Sequence, residues 1–243
     1  MKKTHLIILS LFLTSAIIIT ATVITYKALT VPKSKKYVVE TIEANSKGYI
    51  KVGIISDAQL PQEEKNLYGW DYATVMNGAD HLIKALKYYK SQNVDMIVFN
   101  GDMVNATGDY AAYSAYNKIL DYVYGEDRAE APHIIYPMGN HEFYGGNQEH
   151  NFYKSTGLPL NTRTIVNGYS FISISNSKLE KGDEELAESN DTLADGTYNE
   201  KRIEFLKEQL AAANTEDPNK PIFVFIHMPI SNIVNGGHWA TPQ

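Results

Sequence analysis

Residues 94–105, VDMIVFNGDMVN, hold the pattern that decides the fold. The first six, VDMIVF, form a short run rich in β-branched residues, which is typical of a strand buried in a sheet. Polar residues follow at once, and Gly101 among them allows a close backbone approach that a side chain would block. We therefore interpret this segment as a buried strand that ends in a loop carrying chemistry.

Strands and helices alternate on both sides of this segment, which predicts parallel strands joined by right-handed crossovers. Asn167-Gly168, between two β-rich runs in 163–175, predicts an antiparallel hairpin. The fold class is therefore α/β with a mixed sheet. Further strands are predicted over 49–56, 133–138 and 221–227, and helices over 79–92, 110–124 and 199–214.

Length and composition limit the possible functions. The 243 residues suffice for one sizeable α/β domain, and the absence of cysteine excludes disulfides, thiolate metal sites and cysteine nucleophiles. Six of the 22 basic residues and none of the acidic ones precede Tyr37, which leaves 16 basic against 28 acidic side chains, a net charge of −12. This acidic remainder argues against a nucleic-acid-binding surface. No protein partner is predicted.

The N-terminal region has a separate character. Leu6–Tyr26 is an uncharged run of 21 residues, close to the ~20 that span a bilayer as a helix. We expect an uncleaved membrane anchor, with a cleaved signal and a buried helix as alternatives. The protein would then be a single-pass cell-membrane protein with an extracytoplasmic domain, or secreted if the segment is cleaved. The predicted divisions are an anchor at 1–30, a polar tether at 31–48 and a globular domain at 49–243.

Four of the predicted strands end in polar residues. In open α/β sheets the ligands bind at the carboxyl ends of the strands. Carboxylate and carbonyl oxygens suit hard divalent cations, and imidazole suits Zn or Fe. We predict a two-metal site that clamps a phosphoryl group, with Asp102 as the bridging carboxylate. The strand-end candidates are Asp57, Gln59, Asp102, Asn105, Asn140, His141, Glu142 and His227.

Three motifs in order, SDAQ at 56–59, NGDMVN at 100–105 and GNHE at 139–142, precede a histidine after the last strand. From about Tyr49 onward the chain resembles the calcineurin-like metallophosphoesterase family. The resemblance implies a β-sandwich of two mixed sheets flanked by helices. It also implies two divalent ions (Mn, Fe, Zn or Mg) and hydrolysis of a phosphomono- or diester substrate by a metal-activated water.

The resemblance also implies roles for individual residues. Asp57 would hold the first metal, Asp102 would bridge both, Asn140 and His227 would hold the second, His141 would contact the scissile phosphate or protonate the leaving oxygen, and Glu142 would orient His141. Asn105 is expected to cap a helix or to support the site.

Two departures from the family pattern are present. Gln59 stands where the family has histidine, and an amide oxygen would give lower affinity or a preference for Mg or Mn over Zn. The family's closing G-H-x-H motif is also incomplete, because His238 is followed by Trp239 and Ala240. We expect a chain truncated at its C-terminus, lacking the last ligand motif and its strands. Such a chain should be marginally stable or prone to aggregate.

Two alternatives to an enzyme remain at this point. A non-catalytic or truncated member of the family would be a binding module with an incomplete metal site. A membrane-anchored structural or adhesion domain would show no effect of metal on its thermal stability.

Overall fold

Strands and helices alternate along the part of the chain that the computed structural model describes, residues 37–45, 48–60, 72–105, 111–143, 148–175 and 200–228. The strands are β1 Tyr37–Ile42, β2 Val52–Ile55, β3 Met96–Phe99, β4 His133–Ile135, β5 Asn161–Val166, β6 Tyr169–Ile174 and β7 Ile222–Ile226. The helices are α1 Tyr72–Ser91, α2 Ala111–Tyr124, α3 Gln148–Thr156 and α4 Glu200–Glu216, with a 3₁₀ turn at His141–Phe143. Every strand and helix predicted for the globular domain is present, and β1 and α3 are additional.

The first sheet contains β2, β3 and β4, all parallel, with β3 in the centre. Each of the four residues of β3 is buried, as its apolar sequence predicts for a strand covered on both faces. Because the strands are parallel, the loops that follow them leave the sheet at one edge. The arrangement therefore places the motifs after β2, β3 and β4 next to one another.

The second sheet has the order β1-β5-β6-β7 and is mixed. Strands β5 and β6 form the predicted hairpin, with Asn167 at φ 50° and Gly168 at φ 77°. Left-handed conformations at both turn residues are those of a type I′ turn, which Asn-Gly favours. The pairs β1–β5 and β6–β7 are parallel. The predictions of a hairpin and of a mixed sheet are confirmed.

Three hydrophobic clusters show how the layers pack. Residues from both sheets, including Met96 and Phe171, form a core between the sheets. The other face of β3 packs against helices α1, α2 and α3, for example through Phe99. Ile172 and Phe205 join β6 to α4 on the outer face of the second sheet. The layers run helix, sheet, sheet, helix, which confirms the sandwich flanked by helices; one of its two sheets is purely parallel in the strands described, not mixed.

The structure differs from the expected tether over part of 31–48. Tyr37–Ile42 is strand β1, paired in parallel with β5, and Ile42 packs against the core between the sheets. Its side chains alternate between exposed and half-buried, as on an edge strand with one covered face. In the sequence the neighbouring lysines mask this alternation, because they give 31–48 the composition of a polar tether. The folded domain therefore begins before residue 49.

The predicted anchor, residues 1–30, and His238 lie outside the described residues. In the described ranges no helix has both the length and the apolar character that a membrane span requires.

One side of the sandwich is open among the described elements. β2 and β7 are the last strands at their ends of the two sheets, and they expose Ile54 (54%), Phe223 (42%) and Val224 (40%). Phe223 stacks on Phe171 with ring centroids 4.9 Å apart. An edge strand with apolar side chains and no charge within it is a template for pairing with another chain.

We therefore expect Val224→Lys to slow the aggregation of the purified protein several-fold, because a charge on the edge disfavours strand addition. Light scattering at increasing protein concentration measures this rate. Tyr122→Lys is the matched control, since Tyr122 is 65% exposed but lies on helix α2. Equal slowing by both variants would show that net charge, not the strand edge, controls association.

Candidate metal centre

Three side chains from three strand ends meet at one edge of the sandwich. Asp57 follows β2, Asp102 follows β3 and His227 follows β7. One possible ligand atom from each lies within 4.8 Å of the others. The His227 Nε2 atom is 3.1 Å from Asp102 Oδ2. Because β7 belongs to the second sheet, the cluster draws its side chains from both sheets.

The loops that carry the two aspartates have an uncommon backbone. Asp57 (φ 58°), Gln59 (φ 44°) and Asp102 (φ 54°) all adopt the left-handed conformation, which few non-glycine residues do. Main-chain hydrogen bonds join the loops, from the Asp57 N–H to the Gly101 carbonyl (3.1 Å) and from the Gln59 N–H to the Asp102 carbonyl (2.9 Å). Strained conformations clustered at one edge are typical of functional sites.

Two glycines allow this close approach. A Cβ atom on Gly139 would lie 2.2 Å from Asp102 Oδ1 and 2.7 Å from His227 Cδ2. A Cβ atom on Gly101 would lie 2.5 Å from His227 Cγ, and Gly101 also has a φ of 83°. Asp102 and His227 can therefore take up their places only because these two positions lack side chains.

His227 is oriented by Asn100, which is not among the site residues predicted from the sequence. The Nδ1–H of His227 donates to the Asn100 carbonyl (2.8 Å), which directs Nε2 toward Asp102. The Asn100 side-chain amide donates to the Ile226 carbonyl (3.0 Å) and ties the end of β3 to the end of β7. The position of Asn100 directly before Gly101 is the local sequence signal that could have indicated a role in the site. Its partners Ile226 and His227 are 126 and 127 residues away in sequence.

The pKa of His227 reflects its negative neighbours. Burial alone would lower this pKa, but the hydrogen bond to Asp102, the charge of Asp102, the Asn100 carbonyl and the charge of Asp57 together raise it to about 9. The cluster of carboxylates therefore favours a positive charge at the place where the three side chains meet.

His141 lies beside the same carboxylate and is 8% exposed. Its main-chain N–H donates to Asp102 Oδ1 (2.9 Å), and its Nε2 is 3.8 Å from Asp102 Oδ2. Its Nδ1 is 2.7 Å from the Asn105 carbonyl, which can only accept, so Nδ1 carries a hydrogen. Asn105 therefore contacts the site through its backbone.

The expected role of Glu142 in orienting His141 stays a prediction; its carboxylate binds main-chain amides of the loops after β3 and β4. The side chain is fully buried beneath the loops. The partner of His141 Nδ1 is the Asn105 carbonyl and not the Glu142 carboxylate. Burial raises the pKa of Glu142, and the nearby charge of Asp102 raises it further. The carboxylate accepts from the main-chain N–H of Asp102 (2.9 Å), Met103 (2.9 Å) and Gly139 (2.7 Å) and from the Tyr136 hydroxyl (2.7 Å).

The remaining predicted ligands lie at the same edge. Gln59 is half-buried, and its main chain is bonded to Asp102. Asn140 is half-buried between Gly139 and His141 in the chain, close to the Asp102 carboxylate. His133, interpreted from the sequence as structural, begins β4 at the opposite end of the sheet, with Nε2 3.2 Å from Glu40.

The donor set fits a divalent cation. Two carboxylate oxygens and one imidazole nitrogen are ligands that Mn, Fe and Zn accept. The Gly101 and Gly139 positions leave room beside them, since any side chain there would overlap the ring of His227. Asp57, Asp102 and His227 could thus hold one ion.

Comparison with known proteins agrees with this geometry. The family model described as calcineurin-like phosphoesterase matches residues 50–243. No curated protein sequence is significantly similar to this chain. Among solved structures, the fold is similar to that of a dimetal phosphatase from Danio rerio, with a TM-score of 0.54 and 17% identity, covering 74% of this chain and 70% of that one.

Proposed function

Because the chain belongs to the calcineurin-like phosphoesterase family, we propose that it hydrolyses small phosphomono- or diesters with the help of two divalent metal ions. The observation that carries the proposal is the convergence of Asp57, Asp102 and His227. Gln59 and Asn140, at the same edge, would add one ligand each to the positions around the two ions. Bound ions would supply Lewis-acid polarisation of the phosphoryl group and a more acidic water.

In this proposal His141 acts on the substrate, and the contacts of its ring support that role. The Asn105 carbonyl fixes the hydrogen on Nδ1, which leaves Nε2 on the side of Asp102. In its imidazolium form His141 can donate the Nε2 proton to the leaving oxygen as the phosphorus–oxygen bond breaks. In its neutral form Nε2 can accept a hydrogen bond from a protonated phosphate oxygen or from water. Either role requires the buried ring to keep its present orientation.

A thermal-stability measurement tests the metal centre directly. We expect Mn²⁺ at a hundred times its Kd to stabilise the protein by about 2.7 kcal/mol, because only the folded chain presents the three ligands together. The melting temperature should rise with Mn²⁺ and return to its starting value with excess chelator. A melting temperature that Mn²⁺, Mg²⁺, Zn²⁺ and Fe²⁺ all leave unchanged would contradict the proposal and favour a structural or adhesion domain.

A binding module without catalysis is the second candidate. The three clustered ligand atoms suffice for one ion, and Gln59 is a weaker ligand than imidazole. Such a protein would gain stability from metal but would not turn over p-nitrophenyl phosphate or bis-p-nitrophenyl phosphate. Turnover that His141→Ala abolishes, with the metal-dependent stability retained, decides for the enzyme.

We propose further that residues 6–26 attach the domain to the outer face of the cell membrane. The support is the uncharged run of membrane-spanning length behind a basic N-terminus. Fractionation of cells that express the full chain tests this, since recovery in the soluble fraction without detergent at full length would contradict it.

A further inference from the structure

The buried carboxylate of Glu142 joins the two loops that carry Asp102 and Asn140. It lies in the 3₁₀ turn after β4, and it is fully buried. Its Oε2 atom accepts the N–H of Asp102 (2.9 Å) and the N–H of Gly139 (2.7 Å). One oxygen atom therefore contacts the loop after β3 and the loop after β4 at the same time.

The second oxygen completes the arrangement. Oε1 accepts the Met103 N–H (2.9 Å) and the Tyr136 hydroxyl (2.7 Å). Burial and the charge of Glu142 raise the pKa of Tyr136 far above its ordinary value, so the hydroxyl stays protonated and donates. These four groups all donate, and only a group that accepts at both oxygens can satisfy them.

We propose that Glu142, held by Tyr136, is a positioning residue that sets the spacing of the Asp102 and Gly139 loops and thereby the affinity of the metal centre. This inference rests on the proposed metal-dependent function and adds a residue that acts through Asp102. The backbone amide that Glu142 binds belongs to the proposed bridging residue itself, whose φ of 54° is uncommon for an aspartate. Without that acceptor, the Asp102 N–H would be buried and unpaired.

Glu142→Gln tests the donor requirement at nearly constant volume. A glutamine must place its NH₂ group where one carboxylate oxygen now sits. In the less costly orientation the Tyr136 hydroxyl turns to accept, and the Met103 N–H faces a second donor. In the other orientation the main-chain N–H groups of Asp102 and Gly139 both face the NH₂ group, which cannot accept their hydrogen bonds. Either way a main-chain amide of the site loses its acceptor.

The experiment compares Mn²⁺ affinity by electron paramagnetic resonance in the full chain, for the wild type, Glu142→Gln and Asp95→Asn. Asp95 is the matched control, because it is also buried and accepts a main-chain N–H, that of Lys51 (2.7 Å), beside the opposite end of β3. We expect the Kd for Mn²⁺ to be 10- to 100-fold larger in Glu142→Gln, as is usual when a residue that hydrogen-bonds to a metal ligand is replaced. The Kd of Asp95→Asn should be unchanged. A Kd within twofold of wild type for folded Glu142→Gln would overturn the inference.

Mn²⁺ binding by a Tyr136 variant and amide hydrogen exchange test the role of Glu142 in two other ways. If Glu142→Gln does not fold, Tyr136→Phe removes a single hydrogen bond and should weaken Mn²⁺ binding several-fold; an unchanged affinity overturns the inference. In metal-free protein, Glu142→Gln should exchange the amide hydrogens of Asp102, Met103 and Gly139 faster than wild type. If the wild type binds none of Mn²⁺, Mg²⁺, Zn²⁺ and Fe²⁺, the proposed function fails, while unchanged amide exchange in Glu142→Gln would still overturn this inference separately.

Discussion

Asp102→Asn should abolish metal-dependent stabilisation and lower phosphoesterase turnover by at least about 10³-fold. Asp102 is 3% exposed, its Oδ2 lies 3.1 Å from His227 Nε2, and its Oδ1 accepts the His141 N–H. The amide keeps the size of the side chain but removes the negative charge that attracts a cation. Melting temperatures with and without Mn²⁺, followed by turnover of p-nitrophenyl phosphate, measure both effects.

Asp95→Asn is again the appropriate control, because it removes a buried carboxylate from the same strand region. Asp95 accepts main-chain hydrogen bonds beside the amino end of β3, so its loss should lower the melting temperature. The additional stabilisation by Mn²⁺ should be retained. If Asp102→Asn also retained the stabilisation by Mn²⁺, Asp102 would be a structural residue and not a ligand.

Gly139→Ala should have the second large effect, through steric overlap alone. The added methyl group would lie 2.2 Å from Asp102 Oδ1 and 2.7 Å from His227 Cδ2, distances that no relaxed contact allows. Gly139 does not have a positive φ, so backbone strain does not contribute. We expect Mn²⁺ affinity to fall about 100-fold and the free energy of unfolding to fall by about 1–3 kcal/mol, as in overpacked cores.

Gly48→Ala provides the comparison, because a Cβ atom there would meet no atom within 4 Å. That variant should match the wild type in both Mn²⁺ affinity, measured by calorimetry, and urea denaturation. Wild-type affinity in Gly139→Ala would mean that Asp102 and His227 need not approach each other to bind the ion.

The strand ends could be predicted from the sequence because their signals are local. VDMIVF alone indicates a buried strand, and Asn167-Gly168 alone indicates a tight turn. Parallel order then places the residues that follow β2, β3 and β4 at one edge. The sequence alone therefore predicts that Asp57 and Asp102 are neighbours in space.

The supporting contacts could not be predicted in the same way. The resemblance implies that Glu142 orients His141, but nothing in the local sequence indicates that its carboxylate also binds amides 39 and 40 residues away. Asn100 contacts β7 across the two sheets, and no local pattern encodes such a contact. The alternation in β1 is short and follows a lysine-rich stretch, so the local sequence does not indicate a strand there.

The hydrogen bond between His227 and Asn100 has a consequence for biosynthesis, since it spans 127 residues. On a translating ribosome the loops after β2, β3 and β4 emerge first, and β7 emerges after all the other described strands. Until β7 docks, the nascent chain presents the Asp57 and Asp102 carboxylates without their imidazole partner. The competence to retain a cation would therefore be acquired only once β7 has emerged, after the other described strands have left the exit tunnel.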